Sequence, residues 1–362
     1  MADIPHPKHR LLHIDWVRGI AVLLMIQTHA IDAWLRPELR STAYFGKSQF
    51  LGGFPAPAFL FLAGLSAALA YGKIDRQGLP LLERLWPSVR RGLQILGLAF
   101  LFRLQEFGQW LGGADWRGLL RVDILNTIGF ALVIIGLAQA VAPRRLRLPA
   151  FAALSLAVGF LSPLAWSSPA LSAWPWPVRD YLGGRPAYGY FPLFPWLGLA
   201  LAGAATGAVV AWYRSRARPK QYYLYIAYLL AGALLVAAGG LAADRLPHPA
   251  GWLFWHNSGE YLVIRIGIQL LALAAAFFVC LPFRSHSFST VRLLGRHSLA
   301  VYWVHISLVY GVWLHFLKQR LTVWQSAAGV ALLSGLMVLL ALGIDRWPSL
   351  KSHLLPKRSP LS

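Results

Sequence analysis

The chain has 362 residues, 57% of them hydrophobic and 13% charged, against roughly 25% charged in an ordinary soluble domain, which excludes a soluble globular enzyme. The charged minority is one-sided, 34 Lys plus Arg against 13 Asp plus Glu, for a formal net charge of +21. Nucleic-acid binding would need those cations clustered on a wetted face, and a chain this apolar lacks one. Sixteen Trp, 33 Gly and 23 Pro set among Leu, Ala and Val point instead to a multi-span membrane protein, where Gly and Pro are tolerated and Trp marks interfaces. The single cysteine, Cys280, excludes an intramolecular disulfide and a cysteine metal cluster.

A span needs about 20 mainly apolar residues to cross a hydrocarbon core of roughly 30 Å. Taken in chain order, the runs that qualify are Asp15 to Leu35, Phe54 to Gly72, Ser88 to Glu106, Val122 to Val141 and Leu148 to Trp166. They continue with Phe191 to Tyr213, Tyr222 to Ala243, Tyr261 to Phe283, Val291 to Phe316 and Thr322 to Asp345. The expected fold is therefore an all-α polytopic helix bundle of about ten transmembrane helices. Residues 1–13 form a polar cytoplasmic segment, 14–346 the membrane domain and 347–362 a basic cytoplasmic tail. The first run lacks the small-residue cleavage pattern of a secretory signal and is read as retained. With the N-terminus inside, 22 basic residues, from Lys8 and Arg10 through Arg218 and Arg284 to Lys357 and Arg358, fall in inner segments, and 10, among them Arg36, Arg185 and Arg245, fall in outer ones. Basic residues are retained on the cytoplasmic side, so this alternation predicts both termini there, in a cell (inner or plasma) membrane. No repeat of 20 to 50 residues is visible. The long outer segment Ser167 to Tyr190, rich in Trp, Pro and Tyr, reads as an interfacial aromatic belt.

Ionisable groups inside spans are costly and mark functional sites by default. The first span holds the densest set, Asp15, Arg18, His29 and Asp32. Eleven residues are close to three helical turns, which puts Arg18 and His29 on one face about 16 Å apart, and the acids, each three residues away, extend that stripe. Arg18 suits an anionic group arriving from the cytosol. His29 suits proton transfer or nucleophilic work, with Asp32 fixing its tautomer. Two further arginines, Arg103 and Arg265, also fall inside spans.

The stretch from Arg10 to Ala21, carrying Asp15-Trp-Val-Arg18-Gly19, followed by His29-Ala-Ile-Asp32, resembles the first helix of the bacterial relatives of heparan-alpha-glucosaminide N-acetyltransferase. The Arg18-to-His29 spacing is similar to that of the wider membrane acyltransferase superfamily that O-acylates cell-surface sugars. Further stretches resemble the same family in order: Pro55-Ala-Pro57-Ala-Phe59-Leu-Phe61-Leu-Ala-Gly64, Val122-Asp123-Ile-Leu125-Asn126, Phe191-Pro192-Leu-Phe194-Pro195-Trp196-Leu-Gly198, and Leu294-Gly295-Arg296-His297-Ser298-Leu299 running on to Tyr302 and His305.

What the resemblance implies is transfer of an acyl group, usually acetyl, from cytosolic acyl-CoA to a sugar amine or hydroxyl on the far side. His29 and Asp32 are then the catalytic candidates, and Arg18, Asp15 and Arg296 the candidates for holding acetyl-CoA; Arg90, Arg91 and Arg292 read as ordinary positive-inside residues. Ser298, Tyr302 and His305 share a helical face and are candidates for holding the acceptor or polarising the thioester. His256, with Glu260 four residues on, is a second candidate base on the outer side. No metal is expected. The partners expected are acyl-CoA, a glycan or amino-sugar acceptor and the lipid bilayer, with a homodimer allowed and no nucleic acid. The first outer loop, Arg36 to Gly53, contains no histidine, unlike the animal enzyme, so acyl-histidine and direct-attack routes both stay open. Heparan itself is not implied. The competing readings are a transporter for a small metabolite or lipid-linked sugar, and a catalytically silent scaffold.

Overall fold

A computed structural model describes residues 11–109, 115–183, 190–216, 220–282 and 288–354. Arg10, Lys8, Arg185, Arg218, Arg284, Lys357 and Arg358, most of the expected N-terminal segment and the end of the basic tail lie outside them. The described chain is mainly helical, and its only β pairing among the described residues is one bridge, Leu35 to Leu321. In chain order the helices are α1 (Leu12–Trp34), α2 (Ala43–Gly52), α3 (Pro55–Ile74), α4 (Leu81–Gln109), α5 (Ile124–Val141) and α6 (Arg144–Phe160). Three short helices follow, α7 (Ser162–Ser167), α8 (Pro169–Ser172) and α9 (Trp176–Leu182). The remainder are α10 (Leu193–Arg214), α11 (Gln221–Arg245), α12 (Phe254–Asn257), α13 (Gly259–Cys280), α14 (Thr290–Arg296), α15 (Ser298–Tyr310) and α16 (Val323–Leu354).

Each of the ten apolar runs is largely helical where the structure describes it. Among the described residues, seven helical segments are long and apolar enough to cross a membrane. The other three runs are α4, which carries several charges, α6, which has 17 residues, and the ninth run. That run was expected as one helix from Val291 to Phe316. It is two, because His297 (φ −104°, ψ 21°) interrupts the helical backbone between α14 and α15, and α15 ends at Tyr310. Large apolar side chains stand exposed along α11 and α16, Leu230 and Leu234 at 69% and Leu332 at 75%. In water such faces would aggregate; in a bilayer they meet lipid.

The chain divides into two compact units, Met1–Pro55 with Cys280–Ser362, and Ala56–Val279. In the second, α10 is the central helix, most of its middle buried against α3, α5 and α6. Backbones approach closely there because small residues line the contact: a Cβ on Gly64 would lie 1.9 Å from the Ala200 carbonyl oxygen, and one on Gly203 1.9 Å from that of Phe61. The start of α5 is fixed by a reciprocal cap, Asp123 receiving backbone N–H groups while the Asn126 side chain receives the Asp123 N–H.

The first unit packs α1 against α14, α15, α16 and α2. At the α1–α14 crossing, a Cβ on Gly19 would lie 1.9 Å from the Val291 carbonyl oxygen and one on Gly295 1.9 Å from that of Asp15. The last carbonyls of α1, which no helix can satisfy internally, are met by the chain beyond α15. Gln319, with φ of 55°, donates its N–H to Ala33, and Leu321 donates to Trp34 at 2.8 Å.

A candidate acyl-transfer site on the first helix

His29 lies about one and a half turns before the end of α1, part-buried, and its Nδ1 is 3.0 Å from Nε2 of His305 on α15. The ring planes are 2° from parallel, an arrangement compatible with an in-plane hydrogen bond. The protons can be assigned. His305 Nδ1 is 2.8 Å from the Val301 carbonyl oxygen, which only accepts, so Nδ1 of His305 donates. A neutral His305 therefore presents a lone pair at Nε2, His29 must donate its Nδ1 proton there, and the lone pair of His29 is left on Nε2. His305 is fully buried. It was expected to hold an acceptor; with both ring nitrogens engaged, what it holds here is His29.

Asp32 was expected to fix the His29 tautomer. Its carboxylate instead receives the Tyr310 hydroxyl at 3.2 Å and lies 3.9 Å from the Arg40 guanidinium. The orienting position is occupied by His305. Tyr310 bridges the two acid–base groups, since its ring also meets His29 edge-on at 5.6 Å. Tyr302 stacks edge-on against His305 at 5.9 Å, and Ser298 opens the same helix, part-buried. Sequence reasoning missed Tyr310 and Arg40, both of which close an apolar run or follow one, where a polar aromatic or a cation reads as an interface marker.

At the other end of α1, Arg18 is bonded to the buried Asp15 at 3.3 Å. Arg296, expected near the acyl donor, is exposed and pairs with Asp345 of α16 at 3.3 Å, and His297, at the break before α15, reaches the same carboxylate at 3.2 Å. Among the described residues no group of three or more His, Cys, Asp or Glu side chains is placed to hold a metal.

The family model described as heparan-alpha-glucosaminide N-acetyltransferase, catalytic, matches residues 10–240. The chain belongs to this family. No curated protein matches the chain in sequence. The heparan-alpha-glucosaminide N-acetyltransferase match takes in Arg18, His29 and Asp32 and stops short of His256, Ser298, Tyr302 and His305. Membership makes the protein a transferase of the membrane acetyltransferase type, and its apolar helices make it multi-pass.

In the second unit His256 is exposed on α12. Glu260, expected beside it, is buried and receives the Trp252 indole N–H at 3.2 Å. The Arg103 guanidinium, inside the third apolar run, is held by Asp123 at 2.6 Å and by Glu106.

Proposed function

We propose that the protein is an integral-membrane acetyltransferase, with about ten crossings and both termini in the cytoplasm, that moves an acetyl group from cytosolic acetyl-CoA to the amine or hydroxyl of a glycan or amino-sugar acceptor. The observation that carries this reading is the hydrogen-bond relay from His29 Nδ1 through His305 to the Val301 carbonyl oxygen, which leaves a basic nitrogen, His29 Nε2, on a helix that the family match includes.

In the step proposed, the acceptor nitrogen or oxygen attacks the thioester carbonyl carbon while His29 Nε2 takes its proton. The new N–C or O–C bond forms, the C–S bond breaks, and the thiolate of CoA leaves and takes the proton back. His305 keeps the imidazolium oriented throughout, a role carboxylates or carbonyls fill in other acyl-transfer sites. In a two-step route the same lone pair attacks the thioester first. Asp32 and Tyr310 form the rim of the site. Arg18 is assigned to the phosphates of CoA; Asp15 holds one edge of a group with five donors, so anion contacts do not require breaking the pair. Arg296 serves the donor secondarily, while Ser298, Tyr302 and His256 are assigned to the acceptor.

The test is incubation of the purified protein in detergent with labelled acetyl-CoA and a panel of amino sugars and glycans, followed by mass spectrometry. Acetylated acceptor from the native chain and none from His29→Ala is expected. Full activity in His29→Ala overturns the assignment of His29, and substrate uptake into proteoliposomes without any acyl-CoA requirement overturns the transferase chemistry. An acetyl adduct on His29 identifies the two-step route.

A further inference from the structure

The two arginines inside apolar runs of the second unit are treated differently by the fold. Arg103 meets Asp123 and Glu106. Arg265 on α13 meets no carboxylate among the described residues. Its guanidinium lies over two aromatic rings, 4.0 Å from the Tyr261 ring centre and 4.7 Å from that of Trp196, and its buried Nε donates no hydrogen bond. Stacking occupies the faces of a guanidinium and the Tyr261 hydroxyl meets part of its edge, which leaves the rest of a five-donor edge, the part that binds oxyanions, for something else. One turn further along α13, Gln269 is 2% exposed and its Oε1 receives no hydrogen bond.

The surroundings say what kind of molecule carries the anion. Arg265 lies six residues inside α13 from Gly259, about 9 Å along the axis. Trp252 and Trp255 stand just before α13, and Trp255 and Phe254 pack on the Tyr261 ring at 5.0 and 5.2 Å; Trp and Tyr of this kind mark headgroup depth. Ile268, three residues on from Arg265, is 38% exposed. The neighbouring helix α11, which approaches α13 closely at Gly232 and Gly267, exposes Leu230 and Leu234. A cation at headgroup depth above an exposed apolar surface matches an amphiphile with an anionic head.

We propose that Arg265, stacked on Trp196 and Tyr261, binds the phosphate or carboxylate of an anionic amphiphile whose chain lies over Ile268. This site does not depend on His29 or on the acyl-transfer reading.

Native mass spectrometry of the detergent-purified full chain, titrated with phosphatidylglycerol or phosphatidylcholine, reads it directly. The native protein is expected to hold phosphatidylglycerol about tenfold more tightly than phosphatidylcholine, Arg265→Gln to lose that preference, and Arg265→Lys, which keeps the charge and the fold, to retain part of it. Arg245→Gln, outside this stack, should leave it unchanged. Thermal unfolding with inorganic phosphate or glucuronate supplies the soluble arm; stabilisation there that Arg265→Gln abolishes, without any lipid preference, assigns the same anion contact to a free ligand in place of an amphiphile. No preference in the native protein and no soluble-anion effect, or equal binding by Arg265→Gln in both arms, overturns the site.

Discussion

His29 and His305 are bonded nitrogen to nitrogen at 3.0 Å, and the Val301 carbonyl decides which of the two carries the working lone pair. In the proposed chemistry His305 is thus a positioning residue. His305→Leu is expected to lower kcat for acetyl transfer by about 10²-fold and leave the acceptor KM nearly unmoved. His305→Gln, whose side-chain oxygen reaches the position of Nε2, should recover much of the loss. Equal defects in Leu and Gln variants would reduce His305 to packing.

Tyr310→Phe removes the hydroxyl that donates to Asp32 and keeps the ring against His29. The pair is open to solvent, so the cost to stability should stay within about 1 kcal/mol. A fall of less than tenfold in activity is expected; a loss as large as that of His29→Ala would move Tyr310 from the rim to the chemistry.

Gly19→Ala and Gly295→Ala each drive a methyl group into a carbonyl oxygen at the α1–α14 crossing. Overpacking of this kind costs about 1–3 kcal/mol, and detergent thermal unfolding should show both variants melting earlier than the native chain. Gly97→Ala on α4 is the control, since a Cβ there meets nothing within 4 Å; it should melt at the same temperature or higher.

Asp75, just beyond α3, receives both Nη atoms of Arg147 at 2.9 and 3.0 Å and lies 3.5 Å from Arg84. The Arg147 hydrogen bonds, assisted by the charges of Arg147, Arg84 and Arg144, hold its carboxyl below the usual range despite partial burial. With the folded value depressed, the stabilisation is complete above the unfolded pKa of about 4 and is lost as pH falls through the folded one. Asp75→Asn should therefore melt earlier at neutral pH, and the difference from the native chain should shrink on acidification. A difference independent of pH would exclude the ion pair as its source.

Arg103→Met leaves Asp123 buried without its cation, which costs about 3–5 kcal/mol. Asn is as good a helix cap as Asp, so Arg103→Met with Asp123→Asn should melt later than Arg103→Met alone. Simple additivity of the two losses would show that the pair is not coupled.

The ten helical runs were legible because hydrophobic length survives any packing arrangement, and His29 was legible because an imidazole in the first span has few structural uses. Its partner was not. His305 was noticed for sharing a face with Ser298 and Tyr302, a local pattern, whereas its contact with His29 spans 276 positions and leaves no periodic trace. Asp32 was paired with His29 because residues three apart neighbour each other on a helix; the spacing permits that contact, but Tyr310 and Arg40, from elsewhere in the chain, claimed the carboxylate. The break at His297 was hidden for a similar reason. The run from Val291 is apolar enough to continue, and Asp345, some fifty residues later, meets the side chains of Arg296 and His297 at the break. Arg103 and Arg265 looked alike as charges in spans, and only packing separated the neutralised one from the one left facing aromatic rings.

The tie between the end of α1 and residues 319–321 has a consequence for biogenesis. At about 5–20 residues per second, the ribosome emits His305 roughly 15 to 55 s after His29, and for that interval α1 resides in the membrane with the terminal carbonyls of Ala33 and Trp34 still waiting for Gln319 and Leu321. A chain cut at residue 240, the limit of the family match, would insert its first helix and never complete it.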